Sequence, residues 1–156
     1  MLKIPIAGRV YVDEDETYKY NEDYCDLEWS NYLLSEEAHL EDFFAKTKRI
    51  TKNLFAQEKL IPFYDYEENK VPDSKCILKA LEILQEQDEH YTIQDTQIIS
   101  ILLSQHTEDE YNRLNAFFKE NHINDLHANN FGFDKQGRLK LFDYSGYVGD
   151  FACPVT

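Results

Sequence analysis

The chain has 156 residues, 42% of them hydrophobic and 14% aromatic, and this composition excludes an intrinsically disordered protein. Its 30 acidic and 16 basic residues give a formal net charge of −14, which disfavours nucleic acid and anionic membranes as partners. The length suits one domain over residues 1–156. Two interpretations of the acidic surface stand: it keeps the protein soluble, or it binds a basic protein partner.

The cysteines and the N-terminus bear on the compartment. Cys25, Cys76 and Cys153 form no CxxC pair, so the sequence predicts neither a disulfide framework nor a zinc site. The first residues, MLKIPIAGRV, lack the long apolar run of a signal peptide. No segment reaches the about 18 consecutive apolar residues of a membrane-spanning helix. We therefore expect a cytoplasmic protein with no membrane partner.

The first half of the chain contains a predicted hairpin followed by a long helical pattern. Apolar and aromatic residues alternate over 10–12 and 18–20, on either side of an acidic turn, and such alternation is typical of strands. From about 24 to 57 the spacing predicts helix, with Ser35 as a break between two helices. The pattern over 59–69 predicts a strand that runs into a turn.

Three further helices are predicted in the second half. The first begins with Asp73 or Ser74 as its N-cap and carries an apolar stripe on one face. The second covers 95–105. The third begins with a capping box formed by Thr107 and Glu110, and its apolar face predicts that it packs on the core.

A hairpin follows these helices. Two strand-like runs over 131–143 flank the turn DKQG, in which Gly137 can adopt the positive φ that such a turn needs. The predicted order is a small sheet, helices, a strand, helices and then a loop with a hairpin. This order predicts an α+β fold.

One stretch carries most of the functional signal. Residues 124–147 read NDLHANNFGFDKQGRLKLFDYSGY, in which Asn130 follows Asp125 by five residues and Asp143 comes thirteen residues later. Phosphoryl transfer needs a carboxylate that orients or deprotonates the attacking hydroxyl, together with groups that hold Mg²⁺ on the nucleotide phosphates. Oxygen atoms of Asp and Asn suit Mg²⁺. The order and spacing of these side chains therefore fit a kinase-type site.

The stretch resembles the catalytic loop and metal-binding segment of the protein-kinase-like superfamily, and within it the aminoglycoside- and choline-kinase branch, whose loop typically reads D-L-H-x-x-N. The resemblance implies that Asp125 is the catalytic base, that Asn130 binds Mg²⁺ and that Asp143 is the principal Mg²⁺ ligand. It places His127 near the transferred phosphate. Very small proteins of this kind resemble ones encoded by phages and mobile elements.

The resemblance also implies a fold and a phosphate-binding lysine. The fold would be a minimal kinase-like one, with a reduced N-lobe over about 1–70 and a reduced, helical C-lobe over about 71–156. A kinase binds the ATP phosphates with a Lys from an N-terminal strand, held by a Glu from the next helix. Lys19 lies on a predicted strand, and its partner is Glu28 as first choice or Glu37 as second. ATP and Mg²⁺ are the implied cofactors.

Some family features are missing from the sequence. Gly8 is the only glycine before Gly132, so there is no glycine-rich loop, and the D-F-G position reads DYS. Thirteen residues follow Asp143, which leaves no activation segment or substrate platform in the sequence. Two functions therefore stand. One is a miniature phosphotransferase with an unknown acceptor. The other is an inactive scaffold, a pseudokinase or inhibitor, that binds a protein through its acidic, Tyr-rich surface at 11–24.

Overall fold

The computed structural model describes residues 9–12, 16–20, 22–51, 54–66, 72–86, 91–124, 126–142 and 144. Within these ranges the chain has a mixed α+β architecture, as the sequence predicts, and it contains four α-helices and two small antiparallel sheets. The strands are β1 (Arg9–Val12), β2 (Glu16–Tyr20), β3 (Thr47–Thr51), β4 (Leu54–Glu58), β5 (Ile61–Pro62), β6 (Phe131–Phe133) and β7 (Leu139–Leu141). The helices are α1 (Glu22–Glu37), α2 (Ser74–Glu86), α3 (Thr96–Gln105) and α4 (Glu108–Glu120). Across the described part of the chain, every helix is too short or too polar to cross a bilayer.

The N-terminal sheet has four antiparallel strands in the order β1-β2-β4-β3. The predicted hairpin of β1 and β2 is confirmed, with Val12 opposite Thr17. Helix α1 lies between β2 and β3 in the chain and packs on β3 and β4. The Trp29 ring of α1 lies 6.4 Å from the Phe55 ring of β4, centroid to centroid, so aromatic burial attaches the helix to the sheet.

The predicted helical pattern over 24–57 is correct only in its first part. Helix α1 passes through Ser35 without a break, because the Ser35 hydroxyl donates to the Tyr32 carbonyl oxygen at 2.6 Å inside the helix. His39 then adopts a left-handed φ of 59° just beyond the helix end. Beyond it lie β3 and β4 instead of a second helix, and Ile50 in β3 is 43% exposed.

The reason for this error lies in β4. Its residues Leu54 to Gln57 are all buried in succession, so the side chains on both faces of this strand are covered. A strand that is buried on both faces shows no alternation of apolar and polar residues. A short apolar run of this kind cannot be distinguished from a helix segment by periodicity.

The three later helices agree with prediction. Asp73, not Ser74, caps α2, because its Oδ1 accepts a hydrogen bond from the Cys76 backbone N–H at 3.0 Å. Asp95 caps α3 in the same way. Both hydrogen bonds of the predicted capping box are present at the start of α4.

The second sheet has the order β5-β6-β7, and the predicted hairpin of β6 and β7 is confirmed. Gly137 has a φ of 80° in the turn, as expected. The strand predicted over 59–69 is short: β5 covers Ile61–Pro62, and a 3-10 helix, Phe63–Asp65, follows it. Glycine is needed at 132, because a Cβ there would lie 2.7 Å from the Ile61 carbonyl oxygen.

Aromatic packing brings the two halves of the chain together. Phe44, which is 1% exposed, contacts the rings of Phe117, Phe118 and Tyr144. The next residue, Ala45, donates its backbone N–H to the carbonyl oxygen of Leu141 in β7 at 2.9 Å. The chain between α1 and β3 therefore supports the end of the hairpin from which Asp143 follows.

Candidate functional site

The loop with the D-L-H-x-x-N sequence lies between α4 and β6. Its start is anchored because Ile123, which is 1% exposed, donates its backbone N–H to the Phe118 carbonyl oxygen at 2.9 Å. Its end is a 3-10 helix, Ala128–Asn130, whose last backbone N–H is bonded to the His127 carbonyl oxygen at 3.0 Å. Hydrogen bonds thus anchor the two described ends of the loop.

Of the predicted Mg²⁺ ligands, Asn130 lies among the described residues, whereas Asp143 does not. Asn130 is buried, and its backbone carbonyl oxygen accepts the backbone N–H of Phe142 at 2.9 Å. The loop and the end of the hairpin are therefore joined one residue before Asp143. The predicted catalytic base, Asp125, also lies outside the described residues, although both of its neighbours are described.

The other side of the same segment is bonded to α1. Glu28 is 4% exposed, and its Oε2 accepts the backbone N–H of Tyr144 at 3.0 Å. Its Oε1 accepts the side-chain N–H of Gln57 at 2.8 Å. Asn130 is thus bonded to the residue before Asp143, and Glu28 is bonded to the residue after it.

Tyr144 is the main residue that the sequence analysis missed. It is fully buried, its carbonyl oxygen accepts from Asn31 at 2.8 Å, and its hydroxyl donates to the Ala45 carbonyl oxygen and shares a hydrogen bond with Thr47. Burial, and then the nearby Glu28 carboxylate, raise the pKa of Tyr144 well above its ordinary value, so the phenol stays neutral. The sequence signal for Tyr144 was its position directly after Asp143, which corresponds to the Phe of the D-F-G motif.

We call the buried set around this residue the Tyr144 network, and it consists of Glu28, Asn31, Thr47, Gln57 and Tyr144. Gln57 links its two sides, because its side-chain nitrogen reaches both Glu28 and Thr47, the latter at 2.9 Å. Buried polar groups that are bonded to one another in this way hold a single geometry. The network therefore fixes the backbone directly after Asp143.

Lys19 lies on β2, as predicted, and its side chain is outside the described residues. In register it stands opposite Phe55, two residues along β4 from Gln57 of the Tyr144 network. Of its two predicted partners, Glu28 is buried beside that strand, whereas Glu37 is exposed at the end of α1, about two and a half turns further on. Burial favours Glu28, and the ion pair itself stays a prediction.

His127 is exposed on a groove of about 400 Å³. The lining residues come from the loop, from the chain before α3 and from the 3-10 helix after β5; they are Tyr64, Thr92, Gln94, Asp95, Asn124, Leu126, His127, Ala128 and Asn129. Asn124 and Leu126 are the two sequence neighbours of Asp125, which itself lies outside the described residues.

A second set of charged residues lies at the turn end of the hairpin. Lys140 Nζ is 3.0 Å from Asp134 Oδ2 and 3.0 Å from Glu58 Oε1, and we call these residues the Lys140 triad. Burial alone would lower the pKa of Lys140, but the two carboxylates raise it above its ordinary value. Burial would likewise raise the pKa of Asp134, but hydrogen bonds from Arg138 and Lys140 lower it.

Among the described residues, no three His, Cys, Asp or Glu side chains are grouped as a metal site, and this set excludes Asp125 and Asp143. The hard oxygen donors of Asn130 and Asp143 nevertheless fit Mg²⁺ in kind. Asn130 is buried and is joined to the segment that contains Asp143. Comparison of the chain with protein-family models, with curated proteins and with solved structures found no match.

Proposed function

We propose that the protein is a small, kinase-like phosphotransferase that uses ATP and Mg²⁺. One observation carries this proposal: Phe142, directly before Asp143, is bonded to the backbone of Asn130, and Tyr144, directly after it, is bonded to the Glu28 carboxylate. Asn130, Asp143 and Glu28 were assigned to one site from the sequence, although they are far apart in the chain. The contacts of the residues on either side of Asp143 support such a site, because a kinase must bring its metal ligands and phosphate-binding groups together.

The order of elements also supports the proposal. A strand carries Lys19, the next helix carries Glu28, and a capped helix leads into the loop and the hairpin. The family has the same order: a strand lysine, a helix glutamate, a catalytic loop and a metal-binding aspartate after a hairpin. The fold is thereby consistent with a reduced kinase, with an N-lobe over about 1–70 and a C-lobe over about 71–156.

Each candidate residue would have its own role in phosphoryl transfer. Asp125 would orient the acceptor hydroxyl and take its proton, and His127 would lie near the transferred phosphate. Asn130 and Asp143 would hold Mg²⁺, which when bound neutralises phosphate charge. Lys19 would position the phosphates, and Glu28 would hold both the lysine and the backbone after Asp143.

Electrostatics makes the metal a requirement for nucleotide binding. The chain carries a formal charge of −14, and ATP is an anion that would approach two aspartates. Two like charges 4 Å apart repel by about 4 kcal/mol at an effective dielectric constant of 20. We therefore expect ATP to bind with Mg²⁺ and not in the presence of EDTA.

Thermal unfolding with ATP and Mg²⁺ tests the proposal. At a ligand concentration about 100 times Kd, binding should raise the Tm of the wild type by about 5–10 °C. Asp143→Ala should remove this shift, whereas Asp109→Ala, an exposed aspartate in the first turn of α4, should retain it.

A wild type that gives no shift with ATP, with Mg²⁺ or with both would contradict the phosphotransferase proposal. Tight ATP binding in EDTA would contradict the metal requirement. A stable complex with a basic host protein, formed without nucleotide, would instead support the scaffold interpretation.

A further inference from the structure

The groove beside the D-L-H-x-x-N loop has the size of a small-molecule site. Its volume of about 400 Å³ lies within the range of about 300–1,000 Å³ for such sites. Its walls come from three separate parts of the chain: the loop, the segment before α3 and the 3-10 helix after β5. A concave site of this size suits a small molecule better than the flat surface of a protein partner.

The position of the groove relative to Asp125 indicates which ligand it would hold. Asn124 and Leu126, which precede and follow Asp125 in the sequence, both line it. His127, the next residue of the loop, lines it as well. If the proposed function holds, a molecule in this groove is placed as the phosphate acceptor.

The side chains of the groove indicate the chemical class. The Tyr64 ring is 66% exposed and packs edge-on against Phe63, with the ring centroids 5.3 Å apart, so an aromatic surface faces solvent in a supported orientation. Asn124 and Asn129 add exposed side-chain amides, each of which can both donate and accept hydrogen bonds, and Gln94, whose side-chain nitrogen donates to the Thr92 hydroxyl at 2.8 Å, adds an amide oxygen. An aromatic surface beside several amides complements the C–H face and the hydroxyl groups of a sugar or sugar alcohol.

The charged residues of the groove lining restrict the chemical class of the ligand further. Among the described residues that line the groove there is no lysine or arginine, so nothing there offsets an anionic ligand. The carboxylate in the lining is Asp95, and its Oδ1 already accepts the backbone N–H of Ile98 at 3.0 Å as the cap of α3. The groove therefore matches hydroxyl groups better than it matches a phosphate, a carboxylate or an ammonium group.

We propose that this groove binds the phosphate acceptor and that the acceptor is a neutral, polyhydroxylated small molecule. The inference rests on the proposed function. In the reaction, an acceptor hydroxyl oxygen forms a bond to the γ-phosphorus of ATP and gives its proton to Asp125. The bond from that phosphorus to the bridging oxygen breaks, and ADP leaves with the electron pair.

Ligand-observed NMR on the full chain tests binding without requiring turnover. The probes are the neutral compounds glucose, ribose, myo-inositol and glycerol, the anionic glucuronate and the cationic glucosamine, each at millimolar concentration without nucleotide. We expect saturation transfer to at least one neutral compound and none to glucuronate. Glucosamine should bind within about tenfold of glucose, because the groove recognises hydroxyl groups.

Two substitutions locate the binding site. Asn129→Ala and Tyr64→Ala should each weaken binding by about tenfold, the loss expected for one hydrogen bond or one contact surface. Asn112→Ala is the matched control, because Asn112 is exposed on α4 and is not part of the groove lining. Circular dichroism of each variant verifies that it is folded.

The outcomes separate this inference from the proposed function. Three outcomes would overturn the acceptor class. The neutral compounds do not bind, they bind equally to the Asn129→Ala and Asn112→Ala variants, or they bind more than tenfold more weakly than glucosamine or glucuronate. An ATP·Mg²⁺ thermal shift together with that result would leave the phosphotransferase proposal standing. Localised binding of a neutral compound without any ATP·Mg²⁺ shift would retain the ligand site but overturn its role as an acceptor site.

Discussion

The Tyr144 network and the Lys140 triad both join the N-terminal sheet to the C-terminal hairpin, but they differ in composition. The triad balances a lysine against two carboxylates, at distances of 3.0 Å. In the described part of the Tyr144 network, Glu28 is the charged member, and it accepts hydrogen bonds from a backbone N–H and an amide. The first arrangement neutralises charge, whereas the second fixes the path of a short segment.

Strand β4 supplies both arrangements from adjacent residues. Gln57 contributes to the Tyr144 network and Glu58 to the Lys140 triad. Successive side chains of a strand point to opposite faces, so one strand can support the candidate site and the hairpin turn independently. We therefore expect substitutions in the triad to change stability alone, and substitutions in the network to change both stability and ligand binding.

The largest effect on stability should come from Lys140→Met. The substitution leaves Asp134, which is 5% exposed, and the half-buried Glu58 without their cation, and we expect a loss of about 3 kcal/mol in the free energy of unfolding. Urea unfolding measures this loss, with the exposed Lys59→Met as the matched control. The ATP·Mg²⁺ affinity of the folded protein should stay within about twofold of the wild type. A large drop in that affinity would contradict the expectation that substitutions in the Lys140 triad change stability alone.

Glu28→Gln should have a smaller effect on stability, about 2 kcal/mol, because it leaves one buried donor poorly matched. The ATP·Mg²⁺ affinity should fall by about tenfold or more, because the backbone after Asp143 loses its carboxylate acceptor. Calorimetric titration at a temperature where both variants are folded measures the affinity. Glu37→Gln, at the exposed end of α1, is the control. If the control weakens binding more than Glu28→Gln does, Glu37 is the partner of Lys19.

Tyr144→Phe should cost about 1–2 kcal/mol, since it removes the buried hydroxyl that bonds to Thr47 and to the Ala45 carbonyl oxygen. The backbone bonds of residue 144 to Glu28 and Asn31 do not need the hydroxyl, so ATP·Mg²⁺ binding should persist. Thermal unfolding, compared with Tyr64→Phe, measures the cost. A loss of nucleotide binding with retained stability would mean that the hydroxyl positions the site directly.

The pH dependence of stability should have the smallest amplitude, about 1 kcal/mol. Since the pKa of Asp134 is lowered from its ordinary 3.8, its contribution is present above about pH 4 and is lost as the pH falls through the folded value. The pKa of Lys140 is raised above 10.5, so its contribution is present below that pH and is lost as the pH rises further. Urea unfolding of the wild type and Asp134→Asn should differ by a constant amount at neutral pH and converge in acid. A difference that does not begin to decrease as the pH falls below 3.8 would contradict this assignment.

Local sequence signals were sufficient for the elements whose residues interact with near neighbours. The capping box of Thr107 and Glu110 and the glycine turn at Gly137 each use contacts within a few residues. The first hairpin and the helices α2 to α4 were predicted correctly for the same reason. For the cap of α2 the sequence left Asp73 and Ser74 both open, and the structure selects Asp73. The candidate residues Lys19, Glu28, Asn130 and Asp143 could also be chosen from the sequence. The D-L-H-x-x-N pattern is local, and the resemblance that it indicates implies the other positions.

The chain by itself therefore determined the α+β class, the caps, the hairpins and the identity of the candidate site residues. The tertiary structure decided that residues 47–51 and 54–58 are strands, because β4 pairs with both β2 and β3, and α1 packs on β3 and β4. It also decided that Glu28 binds the backbone of Tyr144, 116 residues away. Contacts across such separations depend on which surfaces meet when the whole chain folds, and a local pattern carries no record of them.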